Sequence, residues 1–223
     1  MKPFIAALGA LTLVAGGCTD LGSDDTRIRG SGVVVTETRE IGSFDRLSVE
    51  GFGEVFIEVG PSSSIELEAE DNVMAVLTTD IRNGRLVLSI EDGHSLRQVT
   101  TPIYRITTPA LVGVAIAGSG DITVDGVDTV EFVVEIAGSG YVRPTGTADH
   151  LSVSIAGSGN YEGASLNTAD AQITISGSGS VLVNAEQNLD VSISGSGDVG
   201  YLQNPVVTQS ISGDGRVFGT SSD

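Results

Sequence analysis

The sequence predicts an all-β fold: a right-handed parallel β-solenoid preceded by a less regular β-rich part. Three observations carry that expectation. The pentapeptide Ile116-Ala117-Gly118-Ser119-Gly120 returns around Gly138 and Gly140 and around Gly157 and Gly159, then in altered form with Ser176 and Ser194 for the alanine around Gly177 and Gly179 and around Gly195 and Gly197, and last as Ile211-Ser212-Gly213-Asp214-Gly215. Measured between first glycines, the spacings are 20, 19, 20, 18 and 18 residues, a near-fixed period that marks a stacked repeat architecture. Each copy is flanked by alternating apolar residues: Val114 and Ile116, Val134 and Ile136, Val153 and Ile155, Ile173 and Ile175, and Val191 and Ile193 lie four and two places before the first glycine. Alternation of that kind describes strands with one buried face.

A second apolar position follows four places after each first glycine, at Ile122, Val142, Tyr161, Val181, Val199 and Val217. Each unit therefore holds two short strands and forms one turn of a coil. The paired glycines, ten around a serine in five copies and two around Asp214 in the sixth, are expected to supply positive φ at a sharp corner. The serine hydroxyls are expected to bond nearby backbone. Six coils about 4.8 Å apart make a column roughly 25–30 Å long. An antiparallel sandwich would also show short strands between glycine turns, but it does not require the same pentapeptide at every turn. A left-handed coil would carry a hexapeptide signal that is missing here.

The chain opens with one lysine, an apolar run from Ile5 to Ala15, and Gly16-Gly17-Cys18. This is a secretory signal too short to span a membrane. The single cysteine directly after the small residues resembles the lipobox of bacterial lipoproteins, in which that cysteine becomes the lipidated first residue. Residues 1–17 are thus expected to be a signal peptide, and residues 18–32 a lipidated Cys18 with a flexible tether. Thr19 lacks the aspartate of an inner-membrane retention signal, which favours the outer membrane.

Residues 33–112 are read as an irregular β-rich part with one diverged coil, Phe44 to Ile57, and residues 113–223 as the six regular coils. Asn83-Gly84 is a tight-turn signal between strands, and residues 72–77 hold one helical turn. The irregular part covers one open end of the column. The other end, Arg216 to Asp223, is closed by its own polar tail or meets another chain.

Removal of Lys2 leaves ten arginines against 29 acidic residues, a net charge of −19. That balance opposes a nucleic-acid partner. Metal sites are not expected, because the residue after each second glycine runs Asp121, Tyr141, Asn160, Ser180, Asp198, Arg216 and makes no acidic row. No cofactor is expected either. His94 and His150 stand outside any triad or metal-ligand spacing, and no catalytic residue is assigned. Tyr141, Tyr161 and Tyr201 are candidates for stacking on sugars.

The lipobox, the segment Phe44-Asp45-Arg46-Leu47-Ser48-Val49-Glu50-Gly51 with Val55-Phe56-Ile57, the Asn83-Gly84-Arg85-Leu86-Val87-Leu88 hairpin and the Val114-to-Ile122 run occur in that order. Together they resemble the head GIN domain family over residues 33–223. The resemblance implies an exported β-helical domain of the auto-transporter adhesin type, with no catalytic residues to carry over. The function expected is a lipid-anchored envelope module presenting a non-catalytic binding surface to a glycan or protein. The alternatives are a glycan-active solenoid enzyme, betrayed by a cleft of converging acids and an arginine, and a structural spacer.

Overall fold

The computed structural model describes residues 26–220. Its regular part is a column of parallel strands in register: β10 (Gly113–Gly118), β11 (Asp121–Gly138), β12 (Tyr141–Gly157), β13 (Asn160–Gly177), β14 (Ser180–Gly195), then β15 (Asp198–Leu202), β16 (Val206–Gly213) and β17 (Arg216–Gly219). Ile116 pairs with Ile136, Ile136 with Ile155, Ile155 with Ile175, Ile175 with Ile193 and Ile193 with Ile211. All but the last are buried and belong to one continuous core. The chain is therefore a parallel β-solenoid. The two short strands expected in each unit merge in the middle coils into single strands of 16–18 residues. The ladders between these strands shift register partway along, between Val124 and Val127, between Val142 and Gly146, and between Gly163 and Asn167.

The corner is built from two different uses of glycine. The first glycine of each pair has φ between 125 and 137°, at Gly118, Gly138, Gly157, Gly177, Gly195 and Gly213 alike. The second glycine is not in the left-handed region, which corrects the expectation of positive φ at both. It is needed for space: a Cβ at Gly140, Gly179, Gly197 or Gly215 would lie 2.7–2.8 Å from the Cγ2 of the isoleucine in the coil before it. The hydrogen bond that locks each corner also departs from expectation. It comes from the serine backbone N–H, as in Ser139 N to Gly118 O at 2.9 Å and Ser178 N to Gly157 O at 2.8 Å, and not from the hydroxyl.

The amino-terminal part stacks out of chain order. Strands β3 (Arg46–Gly51) and β4 (Glu54–Val59) form the diverged coil, lying directly against β10 and β11, with Gly51 as a further corner at φ 125°. Below them lie β7 (Arg85–Ile90) on β3 and β9 (Ile103–Thr108) on β4, so a later segment supplies an earlier rung. Antiparallel strands then cover this end: β6 (Leu77–Arg82) on β7, and β5 (Ser64–Glu70) on β9 with β2 (Val34–Arg39) beyond it. Between β6 and β7, Asn83 and Gly84 have φ of 53° and 76°, the pattern of a type I′ hairpin turn. The helical turn is α1 (Asp71–Met74).

Residues 26–32, assigned to the tether from sequence, instead begin with β1 (Thr26–Arg29), paired with β8 (His94–Arg97), because Ile28 finds packing against the core. The Glu70 carboxylate pins the segment that follows by accepting N–H bonds from Gly32 at 2.8 Å and Thr100 at 2.6 Å. Those bonds, Gly32 first, hold its pKa below the ordinary carboxyl value.

Candidate ligand-binding face

Two sheet faces meet at the Gly-Ser-Gly corner, and their outward residues differ sharply. On the strands that lead into the corner, the outward positions are small: Ala117, Ala137, Ala156, Ser176, Ser194 and Ser212 form one row. Beside it runs Ala115, Glu135, Ser154, Thr174, Ser192 and Ser210. These two rows make a flat surface of alanine, serine and threonine, interrupted by Glu135.

On the strands that leave the corner, the position five places after the first glycine carries Phe56, Thr123, Arg143, Glu162, Leu182, Gly200 and Phe218 on successive rungs, with Arg105 below Phe56. The neighbouring row, three places after that glycine, includes Tyr141, Asn160, Ser180, Asp198 and Arg216. Among the described residues, the outward aromatic side chains of the strands, Phe56, Tyr141 and Phe218, all stand on this face. Phe56 is 43% and Phe218 47% exposed.

Polar groups on this face are held in place by cross-strand pairs. Arg143 Nη2 donates to Glu162 at 2.9 Å and to the Tyr141 hydroxyl at 2.8 Å, with its guanidinium 5.1 Å from the centre of the Tyr141 ring. Arg216 grips Asp198 with two bonds, Nη2 at 2.6 Å and Nε at 3.1 Å. The Arg216 hydrogen bond holds the Asp198 carboxyl below its usual range, and Asp198 raises Arg216 in turn. The Asp198 carboxylate is therefore a fixed, ionised acceptor, the opposite of a carboxylic acid tuned upward to give a proton. A groove of about 310 Å³ opens here, with Leu182 and Phe218 on its floor.

The three tyrosines named from sequence separate in space. Tyr141 lies on the aromatic face. Tyr161 is 2% exposed inside the column, where burial pushes its phenol pKa up, so it cannot stack on a sugar. Its hydroxyl has no protein partner. Tyr201 also points inward and packs against Gly219, 3.3 Å from where a Cβ would stand. The physical reason is shared: both lie in columns, with Val181 and Val183, that face the core. Sequence reasoning missed Phe56 and Phe218, although both fall at the same offset from a corner glycine.

The histidines do not converge. His94 sits in β8 near Glu91 at 3.8 Å, while His150 is outward on β12, 3.3 Å from Asp170. Among the described residues, no group of three metal-ligating side chains forms, and no helix is long and apolar enough to cross a membrane. Cys18 lies outside the described residues.

The fold is shared with solved structures. The crystal structure of a "putative adhesin" from Bacteroides fragilis superposes with a TM-score of 0.69 at 21% identity, covering 87% of this chain and all of that one. A "putative adhesin" from Parabacteroides merdae gives 0.53 at 20% identity, covering 87% of this chain and 99% of the other. A protein from Parabacteroides distasonis described as a "putative lipid binding protein" gives 0.54 at 22%, covering 87% of this chain and all of that one. No curated protein matches the chain. A family model described as "Putative auto-transporter adhesin, head GIN domain" matches residues 43–205, and the chain belongs to that family.

Proposed function

We propose that this protein is an exported, lipid-anchored envelope module that works by presenting a rigid, non-catalytic binding surface. Its anchor is Cys18, and its ligand is a glycan or protein at a cell or matrix surface. The observation that carries the reading is the gathering of the outward strand aromatics onto one face of the column, while the face across the corner carries none. Large side chains left in water on a strongly acidic, self-repelling protein are costly to solubility, and aromatics are the residues that dominate binding interfaces. The family's adhesin description and the arginine-paired state of Glu162 and Asp198 support binding over catalysis.

Two measurements test it. Mass analysis of the mature amino terminus should find an acylated Cys18, and Cys18→Ala should release the protein from membranes. A glycan and matrix-protein binding screen should yield a ligand whose capture falls when Phe56, Tyr141 and Phe218 are together changed to alanine. Turnover of a polysaccharide, or capture indifferent to the triple variant, would refute the proposal.

A further inference from the structure

We infer that the groove between Tyr141 and Phe218 is a subsite for an uncharged glycan. The inference rests on the aromatic face being the binding face and names the class of ligand it takes.

The floor of the groove is apolar by construction. Gly200 interrupts a row of larger side chains, and its neighbours lean into the gap: a Cβ there would lie 3.3 Å from Leu182 Cδ1 and 3.5 Å from Phe218 Cε2. Leucine and phenylalanine thus close over the glycine and offer one continuous platform to solvent. Its rim is polar, with Asn160 on one side and the Glu162 and Asp198 carboxylates set by their arginines. A sugar ring presents the complementary surface, an apolar C–H face edged with hydroxyls that both donate and accept. At about 310 Å³ the groove is at the small end of ligand sites, matching a segment of a chain that continues along the face.

Charge selects among glycans. No arginine lines the groove, the nearest ones are paired with its Glu162 and Asp198 carboxylates, and the whole chain carries a net charge of −18, so a polyuronate or sulfated chain meets repulsion there with no unpaired cation in the groove to offset it. Strands β14 and β15 are each paired on both sides, so strand addition by a peptide is confined to the outer edge of β17, where the peptide would run along the last rung and not across the successive rungs that line the groove.

The test uses the mature full chain with cellohexaose, mannohexaose and chitohexaose as uncharged probes and hexagalacturonate as the acidic one, read by calorimetry. At least one uncharged hexamer should bind and hexagalacturonate should not. Phe218→Ala should weaken that binding roughly tenfold. Asp198→Asn, which keeps the shape and removes the charge, should weaken it too, while Val130→Ala, an exposed apolar residue outside the groove, should leave it unchanged. Circular dichroism confirms folding of each variant. Failure of every uncharged hexamer to bind, equal binding of the acidic one, or indifference to Phe218→Ala and Asp198→Asn would overturn the inference. If the screen instead finds a protein ligand whose capture needs Phe218, the glycan assignment fails while the binding face stands. If no capture depends on the three aromatics, both fail.

Discussion

The two glycines of a corner are required for different reasons, so substituting them one at a time should separate backbone strain from steric exclusion. Gly138 has φ 137°, and an alanine Cβ would press on the Gly118 carbonyl, its carbon only 2.9 Å away. That carbonyl is fixed because it accepts the Ser139 N–H, so relief of the clash loses a ladder bond. Strain of roughly 1–3 kcal/mol for the backbone conformation and about 1 kcal/mol for the bond make Gly138→Ala destabilising by about 2–4 kcal/mol. Gly93 supplies the strain without the clash: its φ is 79°, and nothing lies within 4 Å of the added methyl. Gly93→Ala should therefore cost only about 1–2 kcal/mol. Gly140→Ala supplies the clash without the strain, against Ile116 Cγ2 at 2.7 Å and the Gly120 carbonyl oxygen at 2.5 Å, and should cost roughly 1–3 kcal/mol. The chain has no tryptophan, so unfolding is best followed by far-UV circular dichroism. At about 2–4 °C per kcal/mol for a chain of this size, the three variants are resolvable by melting. If Gly138→Ala melts no lower than Gly93→Ala, stacked carbonyls do not enforce the corner, and the account given for the repeat is wrong.

Two further outcomes follow from buried polar groups. Glu70 has a folded pKa below its ordinary value of 4.5, so its contribution to stability is fully present above that value and is lost as pH falls through the lower folded one. Glu70→Gln should therefore lower the denaturation midpoint at neutral pH and bring the two proteins together at strongly acid pH; an equal gap at both would refute the linkage. Tyr161 carries a hydroxyl without a protein partner in the core, so Tyr161→Phe should stabilise by about 1 kcal/mol in urea denaturation. A loss of comparable size would mean that the hydroxyl is satisfied after all.

The corner column was legible in the sequence because two constraints act on every coil at once: only glycine fits the positive φ against the carbonyl below, and only a slim second residue leaves room for the stacked isoleucine. Such constraints repeat with the coil and print the same letters each time. The amino-terminal order was not legible. The rung made by β7 and β9 sits beneath β3 and β4 although it follows them in the chain, and the antiparallel excursion through β5 and β6 that permits this leaves no periodic trace. The inward position of Tyr161 is legible in the repeat: the four-place offset that sends Ile122 and Val142 inward sends Tyr161 inward as well.

The same stacking logic explains where specificity can reside. An interior position is bounded above and below by copies of itself, so Val134, Val153, Ile173 and Val191 are nearly interchangeable and carry no message. Outward positions are released from that constraint. On the flat face the row next to the corner stays alanine or serine from coil to coil, whereas on the aromatic face successive rungs read Thr123, Arg143, Glu162, Leu182, Gly200 and Phe218, no two alike. A structural spacer would need neither the variety nor the exposed rings. Non-repeating side chains fixed at strand spacing on a rigid column form a surface with an address along its length, which is what recognition of an extended ligand requires.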